Sequence, residues 1–550
     1  MTLRTDPSTP ASAAIPRATV GTIWLTGVLL LGIALYMVCF RVLCDDHWWH
    51  MLTGRLVLET GRVPAADPFS FTFQGAPWTN WEWLAGVVMD LAWSAGGALG
   101  LTFLRAMSLG GTVLLVVRHW RRRGGAFLGE EGRELAALLA GSALLLVAQV
   151  RTADRPHTYA FLLLAGTHAL ATRLRERWSA GAAAGFVALF VVWVNFHPSW
   201  MLGMALCGAV FVDARTKRLL GLGMAMAASA LLTPNLGRFF GSVSEIFGDK
   251  VSAEWDPVWK FLSVSHVPLM TFLLVALAWI VSVARSLSAR EVCQQLVLAV
   301  LLVLAFRHAM MTPVFAIAAI PYLRLDRLGW NAVARRLMPR TALLAAFLVA
   351  AVVLALAQRD MLGPLGLGVD PRTNPVAQTD FMKEHGLRGR VYCTSKEAHG
   401  YVAFRLWPAV TIYIDGRVPQ VYPASFLERY AHTGDPQVLN QDIDRYGIDH
   451  VVMPSGLFAP INVQVSAILR ARGDFALVWF DENGALWSRR RHGGFESLDP
   501  YLLARPGREK LRDSPALRGE LARLEEIGAR SKLAHDLAQA ARQEAGIDAR

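Results

Sequence analysis

Long uncharged apolar blocks decide what this chain can fold into. Residues 19–40, TVGTIWLTGVLLLGIALYMVCF, carry no charged side chain, and TALLAAFLVAAVVLALA (341–357) repeats the pattern far downstream. A helix needs about 20 apolar residues to cross a hydrocarbon layer of ~30 Å. With 54% hydrophobic and 18% charged residues over 550 positions, such blocks fill too much of the sequence for an ordinary water-soluble protein. The first block lacks a small-residue cleavage site behind it, so it reads as an uncleaved anchor rather than a signal peptide.

Spans are predicted near 20–42, 97–118, 132–149, 157–173, 180–196, 199–213, 218–233, 267–284, 291–306, 311–323 and 341–358, about eleven in all. Basic residues cluster in the links between them: Arg121–Arg123, then Arg173, Arg175 and Arg177, then Arg215, Lys217 and Arg218, then Arg335, Arg336 and Arg340. With Arg4 and Arg17 at the start, these place the N-terminus and the basic links in the cytoplasm. An odd number of crossings then delivers residue 359 onward to the periplasm. The net charge of +12 has this topological explanation, and no nucleic-acid partner is called for.

The expected organisation is a polytopic α-helical membrane module over 1–358, with long external loops at 43–96 and 234–266. A periplasmic α/β domain follows over 359–495, and a helical C-terminal tail over 496–550. In the α/β domain, short β-branched runs (Arg390–Cys393, Val410–Asp415, His450–Met453, Phe475–Phe480) alternate with helical patterns (Lys396–Leu406, Pro436–Tyr446, Ile461–Arg472). His399-Gly-Tyr401 and Asp415-Gly-Arg417 stand at strand ends, as ligand contacts or as turns.

The first external loop concentrates polar and aromatic residues in CDDHWWHMLTGRLVLETGRVPAADPFSFTFQGAPWTNWEWL (44–84). A helix over 46–59 would align Asp46, His50 and Thr53 on one face, with Trp48, Leu52 and Leu56 on another suited to the membrane interface. A carboxylate there can take a proton from an attacking hydroxyl, or Asp45 and Asp46 can cap the helix. Asp67 fits a turn before Pro68 or a substrate contact, and Glu82 fits a helix cap or an acceptor contact. Three pairs lie at the outer ends of spans: Arg155 with His157, Asn195 with His197, and Arg307 with His308. Arginines at a cavity mouth can grip a lipid phosphate in a bidentate fork or snorkel to headgroups. Their shared side of the membrane argues for one substrate pocket.

The first-loop motif, with RPHTYAFLLL (155–164), WVNFHPSWMLG (193–203), LLTPNLGRFF (231–240), AEWDPVW (253–259), FRHAMMTPVFAIAAIP (306–321), HGYVAFRLWP (399–408) and IDGRVPQVY (414–422), resembles a group of large bacterial membrane proteins. These look like members of the GT-C glycosyltransferase superfamily, related in architecture to protein mannosyltransferases and oligosaccharyltransferases. The resemblance implies a sugar donor on polyprenyl phosphate, an acceptor arriving from the periplasm, and an essential acidic residue in the first loop. Asp46 matches that residue, with Asp45 and His50 beside it. Cys44 and His197-Pro198 depart from the family's pattern, which has an acidic residue and His-Gly at these places. Glu254 and Asp256, flanking Trp255, resemble a later-loop acidic motif that would help hold a divalent metal such as Mg or Mn. The expected activity is an inverting sugar transfer. A flippase for lipid-linked substrates and a non-catalytic envelope scaffold are the rivals from other classes.

Overall fold

The computed structural model describes residues 32, 39–43, 45–151, 153–235, 256–261, 266–330, 365–456, 458–490, 515–528 and 531–547. The expected span at 341–358, nearly all of 20–42, and most of the loop 234–266 with Glu254 lie outside these residues.

The helical module consists of α1 (His47–Thr60), α2 (Trp83–Arg122), α3 (Glu130–Ala148), α4 (Pro156–Glu176), α5 (Ala180–Val194), α6 (Trp200–Ala214), α7 (Lys217–Ser229), α8 (His266–Ser286), α9 (Val292–Arg307) and α10 (Thr312–Ala319). A helix stands at each expected span from 97–118 to 311–323. Their lengths differ from the expectation of about eleven full crossings. Among the described residues, α2 and the run Val267–Ser286 of α8 are long and apolar enough to cross a membrane. Helices of 13 to 16 residues such as α7, α5, α6 and α9 rise only ~20–24 Å. Outward-facing apolar side chains persist all the same, with Phe103 66%, Leu274 67% and Leu296 61% exposed. In water such a belt would be costly, whereas against hydrocarbon it is solvated.

Helix α2 is broken at Gly96–Gly97, where Gly97 takes φ +56°. Its first leg therefore belongs to the expected external loop, and packs against α1. Two glycines permit that contact: a Cβ on Gly54 would lie 2.2 Å from the backbone of Gly86, and one on Gly86 2.4 Å from the His50 carbonyl. The α1–α2 crossing thus brings backbones together where any larger side chain would hold them apart.

The C-terminal domain comprises α11 (Val376–Glu384), β1 (Gly389–Cys393), α12 (Lys396–Leu406), β2 (Val410–Ile412), α13 (Ala424–Ala431), α14 (Pro436–Tyr446), β3 (His450–Pro454), α15 (Pro460–Arg472), β4 (Phe475–Asp481) and β5 (Gly484–Arg489). Strand order is β2-β1-β3-β5-β4, with β1 parallel to both neighbours and the β3-β5-β4 side antiparallel. The sequence reading finds β1 to β4 and misses β5. Its signal is the Asp481-Glu-Asn-Gly484 hairpin, a two-residue turn between paired ends. Two tail helices, α16 (Pro515–Gly528) and α17 (Lys532–Ala545), pair with each other, and α17 rests against β4.

The first loop is joined to this domain rather than lying on the membrane interface. Ile412 N donates to the Phe69 carbonyl at 3.1 Å and Phe71 N to the Ile412 carbonyl at 3.0 Å, so residues 69–71 extend the β2 edge of the sheet. Trp48 is fully buried against Trp93, Tyr401 and Phe404, and its indole N–H donates to Asn374 Oδ1 at 2.8 Å. The expected interfacial face of α1 is therefore a protein core, with Leu52 also buried, because α12 covers it.

Candidate functional site

Asp45 and Asp46 immediately precede α1, and Arg155 immediately precedes α4, whose Pro156 occupies the first turn. The fold brings these two helix starts together. Arg155 Nε donates to both Asp45 oxygens at 3.0 and 2.9 Å, and its Nη2 stands 3.0 Å from Asp46 Oδ2. Asp46 stands at the cap position but its carboxylate makes no capping bond; Oδ1 accepts from Trp49 Nε1 at 3.3 Å. The capping alternative therefore fails for Asp46, and its carboxylate is turned to another use.

The two carboxyls are driven apart electrostatically. Burial would raise both. At Asp46 it is outweighed by Arg155, Lys396 and His50, which hold the carboxyl below its ordinary value. At Asp45 burial prevails over Arg155, the Asp46 charge adds to it, and the carboxyl rises. Asp46 is thus the more acidic member of the pair.

A second polar cluster surrounds Glu82, at the start of α2. His50 Nε2 lies 3.4 Å from Glu82 Oε2, and His197 Nε2 lies 3.2 Å from Glu82 Oε1. His197 Nδ1 accepts the Ser199 backbone N–H at 3.1 Å, so in the neutral ring Nε2 carries the proton and donates to Glu82. Pro198 has no N–H, and Ser199 supplies the donor. Burial lowers both imidazoles to about 3, keeping them neutral near pH 7. His157 joins this group, with its ring 6.2 Å from that of His197 and its Nδ1 3.5 Å from Arg151 Nη2.

Most of these groups line one cavity of about 330 Å³, whereas Asp45, which stands behind Arg155, does not border it. Asp46, His50, Glu82, Arg155, His157, His197 and His308 all border it. Other expected site residues do not. Asp67 is fully buried, accepts from Phe69 N, Ser70 N and Ser70 Oγ, and pairs with Arg417 Nη2 at 2.7 Å. Asn195 divides its amide among Trp83, Val191 and Leu232. Arg307 is exposed away from the cavity, and Thr53 Oγ1 donates to the Trp49 carbonyl inside α1.

The remaining wall comes from the C-terminal domain, through Gly416–Gln420. A Cβ on Gly416 would fall 1.6 Å from Asp46 Oδ1, so only glycine admits this approach. Trp78 Nε1 donates to Gln420 Oε1 at 3.1 Å, tying the wall to the first loop. Arg151, Lys396 and Val418–Gln420 were not among the expected site residues. Arg151 carried a signal, four positions before Arg155 at the same helix end. Val418–Gln420 lay within the IDGRVPQVY motif (414–422) without being singled out, and Lys396 carried no signal, since only domain docking brings it near Asp46. His399, by contrast, is spent inside its domain, accepting from Cys393 N at 2.9 Å.

For a metal, Asp256 is salt-bridged to Lys260 at 2.8 Å, and Asp45 and Asp46 share Arg155. Among the described residues no group of three His, Cys, Asp or Glu side chains stands close enough to hold an ion. Glu254, the other half of the expected metal pair, lies outside the described residues, and no chemical step is derived through a metal.

No family model and no curated protein matches the chain. Solved structures do. ArnT from Cupriavidus metallidurans, bound to undecaprenyl phosphate, aligns over 86% of this chain and 98% of its own at 14% identity, with a TM-score of 0.55. The oligosaccharyltransferase AglB from Archaeoglobus fulgidus, in complex with an inhibitory peptide and a dolichol-phosphate, aligns over 84% of this chain and 73% of its own at 13% identity and TM-score 0.53. A mutant of the mycobacterial arabinofuranosyltransferase AftD aligns over 86% of this chain and 41% of its own at 12% identity and TM-score 0.53. At these identities the likeness is one of fold. The chain shares its fold with these three solved transferases.

Proposed function

We propose that this protein is a membrane glycosyltransferase of the GT-C type, moving a sugar from a polyprenyl-phosphate donor to an acceptor hydroxyl in the periplasm. The observation that carries this reading is the Asp46 carboxylate, held anionic beside Arg155 at the wall of a cavity, in a fold shared with enzymes solved with undecaprenyl and dolichol phosphates.

Asp46 takes the proton of the acceptor hydroxyl as its oxygen attacks the anomeric carbon. The bond from that carbon to the phosphate oxygen breaks, and the lipid phosphate leaves with the electron pair. Attack opposite the leaving group inverts the sugar carbon. Arg155 and Arg151 bring guanidinium charge to the cavity wall for the growing phosphate charge, and Lys396 adds a third cation near Asp46. Phosphate is a competent leaving group, so one well-placed base suffices. Glu82, with the His50 and His197 rings 3.4 and 3.2 Å from its carboxyl oxygens, stands at the cavity wall where it can orient sugar or acceptor hydroxyls. The apolar wall of Leu164, Leu202 and Val314 suits the isoprenoid end of the donor. In this reading the site lies in the outer half of an inner membrane, with the N-terminus cytoplasmic and the C-terminal domain periplasmic.

The test uses the full chain in nanodiscs with a radiolabelled polyprenyl-phosphate sugar, following both label transfer and release of lipid phosphate. Asp46→Asn should lower turnover at least ~100-fold, the range of a lost general base, with an unchanged elution profile and melting temperature. Undiminished turnover in Asp46→Asn would remove this residue, and the reading built on it, from the mechanism.

A further inference from the structure

The helical module has a second polar cavity at its other end. Helix α4 runs from Pro156 at the Asp46 cavity to Glu176, 21 residues or about 30 Å away. Helix α9 runs the same interval in reverse, from Glu291 at its cap to His308. At these far ends lies a cavity of about 360 Å³, within the ~300–1,000 Å³ common for small-ligand pockets. Four guanidinium groups line it, Arg122, Arg123, Arg175 and Arg324, against the two carboxylates of Glu176 and Glu291.

The four cations are not equally committed. Arg123 pairs with Glu291 and lies over the Tyr322 ring at 4.7 Å. Arg324 gives Nε and Nη2 to Asp326, each at 2.9 Å. Arg175 gives Nη2 to the Arg290 carbonyl at 2.9 Å, the ordinary capping of a chain end. Its Nη1 is buried with no hydrogen-bond partner. Arg122 is exposed at the rim, with no acidic partner among the described residues. A buried N–H is nearly always satisfied in a folded protein, so Arg175 Nη1 marks a missing acceptor. The planar fork of arginine matches the oxygens of phosphate bidentately, and four guanidinium groups together suit its higher charge.

We propose that this cavity is a second ligand site, for a phosphate-bearing anion gripped by Arg175 from within and Arg122 from the rim. It is separate from the Asp46 cavity and independent of the transfer chemistry there. The phosphate can belong to a soluble molecule or to an anionic lipid headgroup entering between the helices.

The test uses the full chain in two arms. In detergent, melting temperature is compared in inorganic phosphate and in chloride at equal ionic strength. In nanodiscs, retention of phosphatidylglycerol against phosphatidylcholine is read by native mass spectrometry. The wild type should be stabilised by phosphate, enriched in phosphatidylglycerol, or both; the first alone assigns a soluble ligand, the second a headgroup. Arg122→Gln, an exposed change that leaves the fold intact, and Arg175→Gln should each weaken that response about tenfold, the loss of one charge-assisted fork. Arg177→Gln, exposed and outside the cavity, should leave it unchanged. The proposal is overturned if the wild type responds to neither probe, if Arg122→Gln and Arg175→Gln respond as the wild type does, or if Arg177→Gln loses as much as they do.

Discussion

Asp46 sits where burial alone would protonate it, yet Arg155, Lys396 and His50 hold it ionised. That balance has a measurable sign. A base whose pKa is depressed loses its proton-accepting form only below the ordinary carboxylate range, so kcat/KM should stay flat as pH falls from 7 toward ~4. Arg155→Gln removes the strongest of the lowering influences and leaves burial unopposed, so the acid limb should move up in pH as turnover falls. Paired pH profiles of transfer check this, and an acid limb unmoved in Arg155→Gln contradicts it. The candidates themselves were legible residue by residue: Asp46, His50, Glu82, Arg155, His157, His197 and His308 border one cavity. Their partnerships were not, because Asp45 and Arg155 are 110 positions apart and no local pattern pairs them. Asp67 and Asn195 show the converse, since polar residues of the same type and location are consumed by turns and backbone contacts.

Helices followed from hydropathy wherever apolar runs were long, and α4, α6 and α9 lie within a few residues of expectation. Helix α2 did not, because its apolar pattern continues upstream through Gly96–Gly97 and only the local geometry divides it. The α1–α2 crossing is equally a matter of packing. Gly86→Ala would put a methyl 2.4 Å from the His50 carbonyl and force the two helices apart. Overpacking of this kind costs ~1–3 kcal/mol, so the melting temperature should fall, and transfer should fall with it as the contact between His50 and Glu82 opens. Gly181→Ala, with nothing within 4 Å of the new Cβ, is the control and should melt as the wild type does. Equal melting of Gly86→Ala and wild type would show that the crossing yields without strain.

At the scale of the whole molecule, the C-terminal domain is locked to the first loop by a buried charge cluster. Arg417, fully buried, pairs with Asp67 and Asp415 and lies over the rings of Phe69 and Trp78. Arg417→Ala would strand two buried carboxylates, a loss of about 3–5 kcal/mol for a broken buried pair. The expected outcome is a lower melting temperature and faster limited proteolysis between the two modules; unchanged cleavage would mean that other contacts hold the domain. Apolar blocks and β-branched runs are local patterns, and they determined that this chain has a helical module, a small α/β unit and an acidic motif at the head of its first loop helix, because burial and propensity act over a few residues at a time. Tertiary structure alone decided that Asp46 meets Arg155, that Trp48 faces the α/β domain instead of lipid, and that Gly416 closes the cavity from more than three hundred positions away. Those contacts depend on how whole elements dock, and docking is fixed by the summed packing of surfaces that no short stretch of sequence contains.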